Sequence, residues 1–177
     1  MPRPATFAVA AGAALAIAIA APAHADQTAT QRFFSQRLQA DKGTSREVKD
    51  LLRTRQGFVD RKVVFRDLTG DGRQDAVVRV QSGGAEGAIA LYVFSTDTGV
   101  KNSGLKVVFR SQELRRAQTR VRDGVLRYRS ARPQPGDELC CPTAESETRL
   151  RWRERLHKLT VAERVEVAPD DPWGDQR

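Results

Sequence analysis

The chain has 177 residues, with 30 Lys and Arg against 22 Asp and Glu, a formal charge of +8 at neutral pH. That is one domain's length, and a hydrophobic share of 40% suffices for a core although aromatics make up only 6%. A single histidine beyond residue 25, with no G-x-S-x-G, P-loop or G-x-G-x-x-G spacing, argues against nucleophile-triad and nucleotide-binding designs.

Arg3 lies in a short positive start, residues 7–21 are an Ala-rich apolar run, and Ala23-His24-Ala25 is an A-x-A cleavage signature. The pattern predicts a signal peptide over 1–25 and a secreted mature chain, extracellular or periplasmic, starting at Asp26. The apolar run falls short of the ~20 residues a membrane helix needs. No later segment is apolar enough either, so no membrane span is expected after processing. Export implies an oxidising compartment.

Phe33, Phe34 and Leu38 recur at helical spacing across residues 28–40, and Asp41-Lys42-Gly43 ends that helix. A second helix carries Val48, Leu51 and Leu52, with Thr44 and Glu47 spaced as a capping box and Gly57 placed to close it. From Val63 onward the apolar period changes from about 3.6 to 2. The whole predicts an α+β fold: two N-terminal helices packed on an antiparallel sheet of about six to eight strands. The domain should run over 26–167, and the polar, Pro-rich stretch 168–177 should be a disordered tail.

Between the runs Lys62–Phe65 and Ala76–Val80 lies Asp67-Leu68-Thr69-Gly70-Asp71-Gly72-Arg73-Gln74-Asp75. Alternate oxygen side chains at Asp67, Thr69, Asp71 and Asp75, the Arg73 carbonyl and the turn at Gly72 are what a hard cation such as Ca²⁺ asks of a short loop. Val78 stands where an EF-hand has its bidentate Glu, so this is not an EF-hand. The competing account is a metal-free turn in which the aspartates cap backbone N–H groups.

This D-x-x-x-D-G-x-x-D loop between two strands resembles the calcium loops of FG-GAP and VCBS-type repeats. The resemblance implies Ca²⁺ as the bound ion. Thr69 replaces the usual Asp or Asn at the third position, which removes a charge and should weaken the site. A single copy of the loop does not carry the propeller fold, which needs about four or more blades.

Farther on, Asp123-Gly124 predicts a two-residue type I′ hairpin pairing Arg122 with Val125, Arg120 with Arg127 and Thr119 with Tyr128. That register puts Val121, Leu126 and Tyr128 on one face and Arg120, Arg122, Arg127 and Arg129 on the other. Leu150 and Trp152 alternate with Arg149, Arg151 and Arg153 in the same way. Arg120 opposite Arg127 is a like-charge pair, costly unless acids or an anion lie nearby. Either Asp and Glu interleave on a solvated face, or the arginines form a platform for an anionic partner. An anionic envelope polymer or an acidic protein fits that platform. Nucleic acid fits poorly, because neither Tyr128 nor Trp152 shares the arginine face for base stacking.

The only cysteines, Cys140 and Cys141, are adjacent in a Pro- and Gly-rich loop. Export favours a bond between them, although their Cα atoms, about 3.8 Å apart across a trans peptide, are closer than disulfides usually allow. A free pair and a bridge to another chain are the other possibilities. The Cys-Cys-Pro loop before a Trp-bearing strand is loosely similar to small secreted actinobacterial proteins, a likeness that carries no activity. The residues point to a non-catalytic binding domain. The alternative is a small secreted hydrolase using paired carboxylates, with Asp137 and Glu138 as its first candidates.

Overall fold

A computed structural model of the protein describes residues 27–100, 104–138 and 141–173. The predicted leader over 1–25 lies outside them. Helix α1 (Ala29–Ala40) starts at a reciprocal cap, in which Gln31 N donates to Thr28 Oγ1 at 3.2 Å and Thr28 N to Gln31 Oε1 at 2.9 Å. Helix α2 (Arg46–Thr54) begins one residue later than expected. Its cap is Ser45, whose Oγ accepts from Val48 N at 3.3 Å, while Thr44 is buried and donates to Asp41 Oδ2 at 3.0 Å. The left-handed residue that ends α2 is Arg55, at φ 59°. Gly57 still helps close the helix, donating its N–H to the Leu51 carbonyl at 3.1 Å, and it is tightly packed, since a Cβ there would come within 2.6 Å of the Gln81 carbonyl oxygen.

The chain is α+β, and its strands divide between two antiparallel sheets. The first has five strands, in the order β1 (Phe58–Val59), β3 (Asp75–Gln81), β4 (Ala88–Ser95), β5 (Lys106–Ser111), with β2 (Val64–Arg66) also paired to β3. The second has four in sequence order: β6 (Gln118–Arg122), β7 (Val125–Ala131), β8 (Glu145–Arg153) and β9 (Lys158–Val167). The expected single sheet is thus replaced by two, for a reason visible in β4. All eight of its residues are buried, so each of its faces must pack against something.

Alternation along β3 and β4 feeds two cores. Val78, Val80, Ala90, Tyr92 and Phe94 pack under Phe34, Leu38, Val48 and Leu52 of the helices. Val77, Leu91 and Val93 face the second sheet and meet Leu126, Tyr128, Leu150 and Leu159. The layers are therefore helices, first sheet, second sheet. No helix of the described residues is long and apolar enough to cross a membrane.

The β6–β7 hairpin takes the expected register, with Arg122 opposite Val125, Arg120 opposite Arg127 and Thr119 opposite Tyr128. Asp123 at φ 49° and Gly124 at φ 70° supply the two left-handed positions that a type I′ turn requires. Residues 168–173, read from sequence as part of a tail, fold back on the second sheet. Arg129 Nη1 donates to the Asp171 carbonyl at 2.7 Å, Nη2 to that of Pro172 at 2.8 Å, and the guanidinium lies 4.7 Å from the Trp173 ring centroid. Residues 174–177 lie outside the described set.

Candidate cation loop and arginine face

The loop between β2 and β3 is closed by its own aspartates. Asp67 Oδ1 accepts from Gly70 N at 2.7 Å and Thr69 N at 3.2 Å, and Oδ2 accepts from Gly72 N at 2.9 Å. Asp75 Oδ2 accepts from Leu68 N at 2.7 Å and from the same Thr69 N at 3.2 Å, which brings the first and last carboxylates of the loop to one N–H. Asp75 is 1% exposed. Burial pushes its pKa up, against hydrogen bonds from Ser95 and Leu68 N, and the charges of Asp71 and Asp67 push it the same way.

Asp71 is engaged by Arg73 instead. Its Oδ1 accepts from Arg73 N and its Oδ2 from Arg73 Nε, each at 2.9 Å. Desolvation, the largest single influence, works upward on Asp71, but the Arg73 hydrogen bonds and guanidinium charge together outweigh it and hold the pKa below the usual value. The Thr69 hydroxyl is near enough to Asp71 to favour its ionised form, yet is buried with no hydrogen bond of regular geometry. As folded, Asp67, Asp71 and Asp75 do not gather tightly enough to form a three-acid metal cluster among the described residues.

The arginine face occupies the outer side of the second sheet. Arg120, Arg127 and Arg149 lie directly opposite one another across β6, β7 and β8, and Glu163 of β9 lies opposite Arg149. Arg151 lies opposite Thr160, and Arg153 opposite Lys158. Arg122 makes an exposed contact with Asp123 Oδ2 at 3.6 Å. Arg149, Arg151 and Arg153 carry no ion pair among the described residues.

Arg129 does not belong with these. It is 3% exposed and gives Nε and Nη2 to Glu147 Oε2 at 2.9 and 2.6 Å. Arg127 Nη1 reaches Glu147 Oε1 at 3.3 Å. The outer face is therefore polarised: basic toward the Asp123–Gly124 turn, neutralised toward Arg129. Glu147 was legible as the counter-ion, because it shares the parity of Arg149, Arg151 and Arg153 along β8. Tyr128 is buried on the inner face, and Trp152 packs there against the second core.

The two candidate features meet. A cavity of about 430 Å³ is lined by Asp67 and Thr69 of the loop, Gly124 of the hairpin turn, and Arg149, Arg151 and Trp152 of β8. No spacing in the sequence announces this meeting, since it depends on the second sheet stacking under the first.

The remaining candidates are tied up locally. Asp137 Oδ2 accepts from Gln134 N at 2.8 Å and Thr143 N at 3.0 Å, and those backbone bonds lower its pKa. That is the opposite of what a general acid needs. Glu138 is exposed beside it. His157 Nδ1 lies 3.1 Å from Asp97 Oδ1 at the end of the β8–β9 connection. Cys141 is in a disulfide. Cys140, its expected partner, lies outside the described residues. Comparison with protein-family models, with characterised proteins and with solved structures finds no match to this chain.

Proposed function

We propose that this chain is an exported, non-catalytic domain whose arginine face binds an anionic envelope polymer, with loop 67–75 as a structural calcium site. The observation that carries the reading is the trio Arg149, Arg151 and Arg153, which share the outer face of β8 and carry no ion pair among the described residues. Like charges set side by side on a sheet destabilise it unless an anion offsets them. Arg127 and Arg120 continue the row across β7 and β6, where Arg127 is met by Glu147. Arg149, Arg151 and Arg153 supply the guanidinium groups that a chain of phosphates or carboxylates would engage.

The calcium part rests on the loop's donor set. Asp67 and Asp75 converge on one N–H, Asp67 Oδ2 keeps a second lone pair beyond its Gly72 N contact, and the buried Thr69 hydroxyl has an unused acceptor. The Arg73 carbonyl completes the set, and Asp71 joins once it leaves the Arg73 side chain. A bound ion would remove the repulsion that Asp67 and Asp71 exert on buried Asp75. Extracellular modules of this kind hold calcium with Kd of about 10⁻⁴–10⁻³ M.

Retention on an anionic column and on cell-wall material, at two salt concentrations, tests the platform. Reversing Arg149, Arg151 and Arg153 to Glu should abolish retention. Reversing the equally basic helix set Arg32, Arg46 and Arg53 should only weaken it. Equal losses from the two triple variants would mean that net charge alone is being read and the platform is wrong. Salt-insensitive capture of one acidic protein would move the reading from polymer to protein partner.

A further inference from the structure

The inner face of the second sheet changes character along its length. At one end Leu126, Leu150 and Leu159 fill the space between the sheets. At the other end the same alternation presents Ser130 of β7, Ser146 and Thr148 of β8, and Arg164 of β9, which lies opposite Thr148. Apolar side chains would pack that end more favourably, since buried polar groups cost stability unless each finds a partner. The space is not closed by packing. A cavity of about 490 Å³ opens there between the two sheets, with Ser111, Tyr128, Ser130 and Ser146 on its wall and Arg132 and Arg164 among its lining.

The hydroxyls of this wall are only partly engaged. Tyr128 Oη to Ser111 Oγ and Ser146 Oγ to the Ser130 carbonyl are long contacts, at 3.4 and 3.5 Å. Ser130 Oγ is firmly held, accepting from Arg115 N at 3.0 Å. Arg164 spends its Nε on Thr148 Oγ1 at 3.2 Å, and among the described residues its two terminal nitrogens make no hydrogen bond or ion pair. Arg132 makes no ion pair among the described residues. Glu113, also in the lining, opposes a bare multivalent anion but offers an acceptor to a ligand hydroxyl.

We propose that this inter-sheet cavity is a binding site for a monosaccharide-sized sugar that carries one anionic group. The volume lies in the range of small-molecule sites, roughly 300–1,000 Å³. Hydroxyls of the ligand exchange hydrogen bonds with Ser111, Tyr128 and Ser146. Its carboxylate or phosphate meets Arg164 and Arg132, whose planar donors fit either group in a bidentate manner. The site is on the opposite side of the sheet from the Arg120–Arg127–Arg149 row, so it stands or falls independently of the polymer platform.

Calorimetric titration of the full mature chain with four probes tests it: glucuronate, glucose 6-phosphate, neutral glucose and inorganic phosphate. At least one anionic sugar should bind at millimolar concentration or tighter, at least tenfold better than glucose and than inorganic phosphate. The stronger of the two anionic sugars identifies the carboxylate or the phosphate as the recognised group. Arg164→Ala should weaken that binding about tenfold. Ser146→Val, which fills the wall with an apolar group, should abolish it while the melting temperature stays the same or rises. No binding by any probe, or inorganic phosphate binding as well as its sugar ester, would overturn the proposal. So would undiminished binding by a folded Ser146→Val protein.

Discussion

Arg129 and Glu147 face each other across β7 and β8, joined by two hydrogen bonds of 2.9 and 2.6 Å onto one carboxylate oxygen, with both residues nearly sealed from solvent. Carbonyls of Asp171 and Pro172 and the ring of Trp173 complete the surroundings of the guanidinium. An ion pair this enclosed is demanding: removing one partner strands the other charge.

Glu147→Ala should therefore destabilise the protein by about 3–5 kcal/mol, far more than loss of an exposed pair. The double change Arg129→Met with Glu147→Leu should recover most of that loss. Urea unfolding of the three proteins measures both effects. A cost below about 1 kcal/mol for Glu147→Ala would place the pair among ordinary surface contacts.

Calcium should raise the melting temperature by several degrees at millimolar concentration, since a tenfold excess over Kd adds about 1.4 kcal/mol to the native state. Asp71→Ala should erase the response in a protein that still folds. Arg73→Ala should strengthen it, because it frees Asp71 while leaving the backbone carbonyl at position 73 in place. The response should fade on acidification at a higher pH than an ordinary aspartate would give, since Asp75 holds its proton more tightly. Without calcium the sign is different: the raised pKa of Asp75 contributes stability below its unfolded value, lost as pH rises through the folded one. An unchanged melting curve with no heat of binding would leave the loop a metal-free turn.

Alkali should act through Tyr92. Its side chain is fully buried, its Oη donates to Gln112 Oε1 at 2.7 Å, and burial pushes its pKa up to about 12. An unfolded tyrosine releases its proton near pH 10. The folded state binds that proton more tightly, so the contribution is full below about pH 10 and is lost as pH rises toward about 12. Tyr92→Phe should flatten the fall in stability over that window, at some cost near neutrality from the lost hydrogen bond to Gln112, which keeps Ser45 N as a donor to its Oε1. Equal alkaline slopes for the two proteins would remove Tyr92 from the account.

Gln31 connects the first helix to the first sheet. It is 3% exposed, closes the α1 cap through Oε1, and donates Nε2 to the Val59 carbonyl at 2.6 Å. Gln31→Leu keeps the helix former but leaves that carbonyl unsatisfied, a loss of about 1–3 kcal/mol. Gln31→Glu should be similarly costly, because a buried carboxylate would then face a carbonyl oxygen. Thermal unfolding of both variants against the parent is the measurement.

Local chemistry made much of this protein legible. Asp123-Gly124 sets a turn with two left-handed residues, and the whole β6–β7 register follows from it. The change of period at Val63 marks where most strands begin, but the two-residue strand Phe58–Val59 already precedes it and is too short to show a period. The partition into two sheets was less apparent, although the unbroken run Ala88–Ser95 is the mark of a strand covered on both faces. At the loop, spacing identified the oxygen donors but not their aim, since Asp71 pairs with Arg73 through side-chain torsions that no pattern encodes. Arg129 shared the alternation of its neighbours and was grouped with them. Only the strand facing it and residues 171–173 turn it into an interior residue, and both are tertiary facts.

Strand β4 gives alternate side chains to two different cores, Tyr92 and Phe94 upward and Leu91 and Val93 downward. Neither outer layer can detach without exposing one whole face of that strand. Helices and second sheet are therefore cooperative partners through a common wall, although they touch different residues of it. Amide exchange in β4 should report the free energy of global unfolding, and heat should melt the domain in a single transition with no half left standing.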